Sequence, residues 1–190
     1  GALDGEATLA TLASLGFAAR RDPEVRQAVD GALDAVVALP DHEVTPAGRA
    51  LLAIGAYERS RRVEPGRDAV AALARRAVAV PPTGDGEITR GPAFLLASLC
   101  LTLCDEWDAA TAAVDRAIAV ATGRGNGAGF AAAATYRARI AFHTGSLDRA
   151  VAEAAAAATA ARELWGLDLT GTRATLAMAL CEQGALADAA

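Results

Sequence analysis

Lysine is absent from these 190 residues, and all eighteen basic side chains are arginine. That absence removes every mechanism needing a side-chain amine, including the phosphate-binding lysine of a P-loop and any Schiff base. Aromatic residues make up only 4% of the chain and strand formers are sparse, which argues against a sandwich or barrel. Cysteine occurs three times, as Cys100, Cys104 and Cys181. Three irregularly spaced cysteines are too few for a disulfide framework and favour a reducing compartment, so a cytoplasmic location is expected. Long apolar runs are missing as well. The longest, Phe94–Cys104, lies between Pro92 and the pair Asp105 and Glu106, whereas a membrane span needs roughly 20 apolar residues. The alanine run 154–158 is flanked by Glu153 and Arg162 and reads as part of an ordinary helix. No basic stretch followed by an apolar one opens the chain, so no secretory leader is expected. A net charge of −5 gives no footing for direct nucleic-acid contact.

What the chain has in excess is alanine, 52 residues of it. Alanine is the best helix former and its small side chain lets helices approach closely, so the expected class is all-α. An internal repeat organises the helices. Asp105-Glu-Trp-Asp-Ala-Ala110, Gly145-Ser-Leu-Asp-Arg-Ala150 and Gly184-Ala-Leu-Ala-Asp-Ala189 superimpose, their last alanines 40 and 39 residues apart. Fainter copies stand at Glu64-Pro-Gly-Arg-Asp-Ala69 and Pro23-Glu-Val-Arg-Gln-Ala28, each 41 residues before the next. A fixed period of about 20 to 50 residues marks a solenoid of stacked supersecondary units.

Each unit reads as two antiparallel helices. Gly145 and Gly184 close a first helix in the left-handed conformation, and Ser146 stands where a hydroxyl caps the second. Trp107, Leu147 and Leu186 are expected to enter the interface between the two helices, with Ala110, Ala150 and Ala189 one turn on. Val114, Ala117, Ile118 and Ala121 follow the 3, 4 spacing of a buried stripe. The predicted helices are about 6–21 with 24–39, 46–62 with 66–80, 91–104 with 107–122, 129–144 with 147–165, and 171–183 with the start of a last one. Thr45-Pro46 is a cap with proline at the first helical position. The repeat units of this single domain, 1–190, are about 1–42, 43–86, 87–126, 127–168 and 169–190, some four and a half repeats of 39–41 residues. The sequence stops a few residues into its tenth helix, which leads us to expect a segment of a longer protein, because a terminal repeat needs a polar cap.

Chemistry-bearing residues do not converge. The loop Gly123-Arg-Gly-Asn-Gly-Ala-Gly129 lacks the lysine and hydroxyl of a phosphate cradle and follows a helix, so it reads as a connection. Cys100 and Cys104 lie one turn apart, a possible ligand spacing. The other candidate ligands, Cys181, His143 and His42, fall in different repeats, so buried thiols are the expectation and no metal or cofactor is implied. His143 suits a helix C-terminus on dipole grounds, and carboxylates are scattered. The arrangement argues against an enzyme. One pattern points to binding. Arginines cluster late on first helices, at Arg20-Arg21, at Arg59, Arg61 and Arg62, and at Arg137 and Arg139. In helix-pair solenoids the first helices line the concave groove. A groove of Arg20, Glu58, Arg61, Arg62, Arg139 and His143 is therefore the candidate binding site. Dipole and carbonyl capping are the other account of arginine at such positions.

The stretch Trp107-Asp-Ala-Ala-Thr-Ala-Ala-Val-Asp-Arg-Ala-Ile-Ala-Val-Ala, followed by Gly145-Ser-Leu-Asp-Arg-Ala150 and ending Ala160-Ala-Arg-Glu-Leu-Trp-Gly166, resembles a tetratricopeptide-like (TPR-like) repeat. Its unit is longer than the usual 34 residues. With its Ala/Arg/Leu bias it is similar to the helical-repeat region of large ATP-dependent bacterial regulators of the LuxR type, which include the maltotriose-responsive activators. The similarity is best over 91–190. It implies a right-handed superhelix that senses a protein, a peptide or a small inducer and controls flanking ATPase and DNA-binding domains of the same chain, with homo-oligomers possible. No nucleic-acid contact by this segment and no membrane association are implied. The alternative is an interaction scaffold with no small-molecule ligand.

Overall fold

A computed structural model describes residues 2–18, 22–61, 66–80, 82, 93–165 and 170–189. Among these the chain is all-helical: α1 (Ala2–Ala18), α2 (Pro23–Val37), α3 (Pro46–Ser60), α4 (Arg67–Ala77), α5 (Ala93–Leu103), α6 (Trp107–Gly123), α7 (Gly127–His143), α8 (Leu147–Trp165) and α9 (Thr170–Glu182), with one 3-10 turn, Asp41–Glu43. None of the described helices is long and apolar enough to cross a membrane. The helices form two compact units, Gly1–Val80 with Gly91–Glu106, and Pro81–Arg90 with Trp107–Ala190.

The ends of the helices follow from the sequence. α3 opens as predicted, with Pro46 in its first turn and the Thr45 hydroxyl accepting the Gly48 N–H at 3.1 Å. α5, α6, α7 and α9 all close through one turn. The N–H groups of Glu106, Asn126, Ser146 and Ala185 donate to the carbonyls of Leu101, Ala121, Ala141 and Leu180 at 3.0, 2.8, 2.8 and 2.9 Å. The residue before each donor holds a positive φ: +55° at Asp105, +63° at Gly125, and +79° at both Gly145 and Gly184. This is the Schellman closure, in which a left-handed residue lets two orphan carbonyls find donors. Glycine enters that conformation without a Cβ penalty. Asp105, which belongs to the residue types that tolerate it best, takes it in the one turn where arginine binds it. Asn126 then caps α7 by accepting from the Gly129 N–H at 2.9 Å, so the glycine-rich 123–129 stretch is an inter-helix turn.

In the first unit α3 packs on α1, α2, α4 and α5, α1 also meets α2, and α4 also meets α5. Its core is built from leucine: Leu33, Leu51, Leu52, Leu95 and Leu101 are among the largest fully buried side chains. In the second unit α7 packs on α6, α8 and α9, and α8 on α9. Its core is built from alanine. Ala110, Ala113, Ala117, Ala121, Ala131, Ala133, Ala134, Ala138, Ala150, Ala154, Ala157 and Ala161 are all fully buried beside Val114. Alanine gives little transfer energy per residue, so this unit depends on close helix approach and dispersion rather than on large side chains. The stripe predicted on α6 is present, with Val114, Ala117 and Ala121 buried and Ile118 half-buried. Leu186 departs from expectation. It sits in a single turn after α9 and is 68% exposed rather than placed between helices.

Polar contacts join points about one repeat apart in sequence. The Glu6 carboxylate accepts the Ala47 N–H at 2.9 Å, 41 residues on. Arg76 donates to the Val37 and Leu39 carbonyls at 2.9 and 2.6 Å and pairs with Asp41 at 2.6 Å, so a side chain of α4 caps the end of α2. Arg67 donates to the Cys104 carbonyl at 2.7 Å and pairs with the Asp105 carboxylate, while Arg75 meets Glu106 at 2.5 Å. In the second unit the Thr135 and Thr172 hydroxyls are 2.6 Å apart and Gln183 donates to Asp148 at 2.6 Å. The bonds to the Ala47 N–H and to the Val37, Leu39 and Cys104 carbonyls satisfy helix ends, and the threonine pair gives the buried Thr172 hydroxyl a partner, whereas Arg75–Glu106 and Gln183–Asp148 are exposed side-chain pairs.

Candidate functional site

α2 and α3 run antiparallel, because Gly48 lies against Val36 while Gly55 lies against Leu33. A Cβ on Gly55 would stand 2.4 Å from a Leu33 methyl, so any larger residue there would have to displace the Leu33 side chain. The two glycines are seven residues apart, two turns of helix, and form a flat strip facing α2. Beside the Leu33–Gly55 contact, between residues 25–34 of α2 and the last turns of α3, lies a cleft of about 280 Å³. Val25, Val29, Leu33 and Ile54 make its apolar lining, and Arg26, Asp30, Asp34, Glu58 and Arg59 carry its charge. Among the described residues, Asp30, Asp34, Glu58 and Arg59 have no side-chain hydrogen bond or ion pair, whereas Arg26 makes an interaction of its own.

Of the residues expected to form a groove, Glu58 lines this cleft. Arg61 lies at the C-cap of α3. It donates to the Tyr57 hydroxyl at 3.3 Å and its guanidinium stands 5.7 Å from that ring's centroid, an exposed stacking arrangement. Arg139 and His143 share a face of α7 in the second unit, four residues apart. Arg139 is exposed and has no partner among the described residues. The His143 ring stacks on Trp107, with centroids 6.3 Å apart, and meets Phe142 edge-on at 5.5 Å, so it packs against aromatics. Arg20 and Arg62 lie outside the described residues. Arg137, grouped with Arg139 on sequence, is structural. It bonds Glu153 of α8 at 2.7 Å and Asp115 of α6 at 3.3 Å, tying three helices together.

The thiols behave as the helix pattern suggested. Cys100 is fully buried and burial pushes its thiol up to about 12, against the lowering effect of a hydrogen bond with Ser60. Burial raises Cys104 too, with the Arg67 charge opposing. Neither is available as a thiolate nucleophile near neutral pH. No group of three His, Cys, Asp or Glu side chains among the described residues is placed to hold a metal ion.

The cleft itself escaped the sequence reading. Its signals were present: Gly48 and Gly55 at a seven-residue spacing within one helix, and Asp30 and Asp34 four apart with no basic residue between them. Comparison with protein-family models, curated proteins and solved structures finds no match to this chain.

Proposed function

We propose that this chain is a non-catalytic regulatory segment, a right-handed TPR-like solenoid of helix pairs that receives a protein or peptide and passes the event to flanking domains. The observation that carries the binding role is the α2–α3 cleft. It combines an apolar lining with four charged side chains, Asp30, Asp34, Glu58 and Arg59, that have no partner among the described residues, the composition of a recognition site. The solenoid reading is supported within the units by contacts from α1 to α3 to α5 and from α7 to α9. It is supported further by polar bonds that join residues 35 to 41 positions apart. A role in a large LuxR-type regulator rests on the resemblance over 91–190.

Size favours a peptide over a small inducer. At about 280 Å³ the cleft falls just under the roughly 300–1,000 Å³ that encloses drug-sized ligands. It is large enough for a few side chains of a longer partner. A thermal-shift screen of peptides, sugars and nucleotides tests the reading. A ligand at about 100 times its Kd stabilises by about 2.7 kcal/mol, equivalent to roughly 5–10 °C in Tm for a chain of this size. The expected result is a stabilising ligand whose shift falls by about half or more in the Asp30→Asn/Asp34→Asn/Glu58→Gln variant. A full shift in that variant, or no stabilising ligand in any class, would refute the cleft as the binding site.

A further inference from the structure

We infer that the occupant of the α2–α3 cleft is a cationic amphipathic helix, an apolar stripe flanked by lysine or arginine, supplied by a partner protein. This rests on reading the cleft as the binding site and names the chemistry of what it binds. Its α2 wall is made by positions 25, 26, 29, 30, 33 and 34, a continuous face that spans ten residues, about 13.5 Å at helical rise. Positions 54, 55, 58 and 59 of α3 repeat the spacing on the other wall. A groove between two helices with an apolar floor and polar edges is the seat that a third helix takes.

Charge sets the sign of the partner. The unpartnered groups at the cleft are three carboxylates, Asp30, Asp34 and Glu58, against one guanidinium, Arg59. Asp30 and Asp34 are one turn apart on a single helix, where like charges repel. A cation laid across them relieves that repulsion, and an anion increases it. The net charge of −5 acts in the same direction during approach.

The probe is a fluorescein-labelled 14-residue peptide with leucine on one helical face and lysine elsewhere, read by fluorescence polarisation. The comparison peptide has glutamate in place of lysine. The lysine peptide is expected to bind one to one, with affinity falling as salt rises, and the glutamate peptide to bind at least about tenfold more weakly. Asp30→Asn/Asp34→Asn/Glu58→Gln should weaken the lysine peptide by about tenfold or more, while Arg59→Gln leaves it unchanged or tighter. Asp108→Asn/Glu182→Gln/Asp188→Asn makes the same change of charge in the other unit and should leave binding within about twofold. Amide shifts on binding should concentrate at 25–34 and 54–59. Equal binding of the two peptides, equal losses in the two triple variants, or shifts confined to other helices would each overturn the proposal. If the thermal-shift ligand occupies the cleft while the lysine peptide does not bind, the cationic helix is wrong and the binding site stands. If nothing binds the cleft, both fall.

Discussion

Removing the Thr135 hydroxyl alone from the threonine pair between α7 and α9 should cost more than removing both hydroxyls. The Thr135 hydroxyl donates to the Ala131 carbonyl at 2.9 Å, which leaves the Thr172 hydroxyl to donate to Thr135 Oγ1 across 2.6 Å. Thr172 is fully buried. Valine matches threonine closely in shape, so the substitutions test hydrogen bonding rather than volume. Thr172→Val removes the last donor of the chain and strands nothing, for a loss of about 0.5–1.5 kcal/mol. Thr135→Val takes away the acceptor and leaves a buried hydroxyl unmatched, for a loss of about 1–3 kcal/mol. In the double variant both partners are apolar, and the cost should drop below about 1 kcal/mol. Guanidinium denaturation followed by circular dichroism gives the four free energies of the cycle, and the coupling between the sites is their departure from additivity. A double variant as unstable as the sum of the single ones would refute the proposed direction of the bonds and the claim that they hold α9 on α7.

Three further outcomes test the rest of the structure. Gly145→Ala should lose about 1–2 kcal/mol, seen as a fall of roughly 2–8 °C in Tm, because φ is +79° there and an added Cβ meets nothing within 4 Å, so the whole cost lies in the backbone. Arg76→Ala should lose about 1.5–3 kcal/mol in chemical denaturation, and Arg76→Lys should not restore it, because a point charge cannot reach the Val37 and Leu39 carbonyls and Asp41 together. Titration with a thiol reagent at pH 8 should find the exposed Cys181 reacting rapidly in the native protein, and all three cysteines only in denaturant. Because burial holds the Cys100 thiol at about 12, against an ordinary value of 9.0, the unfolded chain releases that proton first. This contribution to stability therefore falls as pH rises above about 9, and a native Cys100 reacting as fast as Cys181 would contradict its burial.

The succession of helices was readable because the information is local. Pro46 after Thr45, the left-handed glycines 145 and 184, and the 3, 4 spacing on α6 each specify structure within one or two turns, and α8 occupies the predicted 147–165. The roles of the arginines were not readable from such cues. Arg67, Arg75, Arg76 and Arg137 are held by partners 16 to 39 residues away, and a run of basic residues near a helix end does not say which of them reaches a neighbour. Asp105 in a glycine position became intelligible only with Arg67 beside it. The cleft depends on how closely Gly55 lets α3 approach Leu33, a tertiary distance that periodicity does not encode. Leucine in one unit and alanine in the other follow the sequence, but which alanines are fully enclosed depends on packing.

The shared helix closure also limits how such a chain can change length. Its carbonyl acceptors fall at residues 101, 121, 141 and 180, so one helix with its turn occupies about 20 residues. Inserting a single residue within a helix rotates everything after it by about 100° and turns a buried alanine toward water. Adding a whole 20-residue step restores the face but reverses the direction of the chain. On the proposed helix-pair solenoid only steps of about 40 preserve both, so viable growth or loss comes in whole pairs, through duplication or excision of a gene segment about 120 nucleotides long.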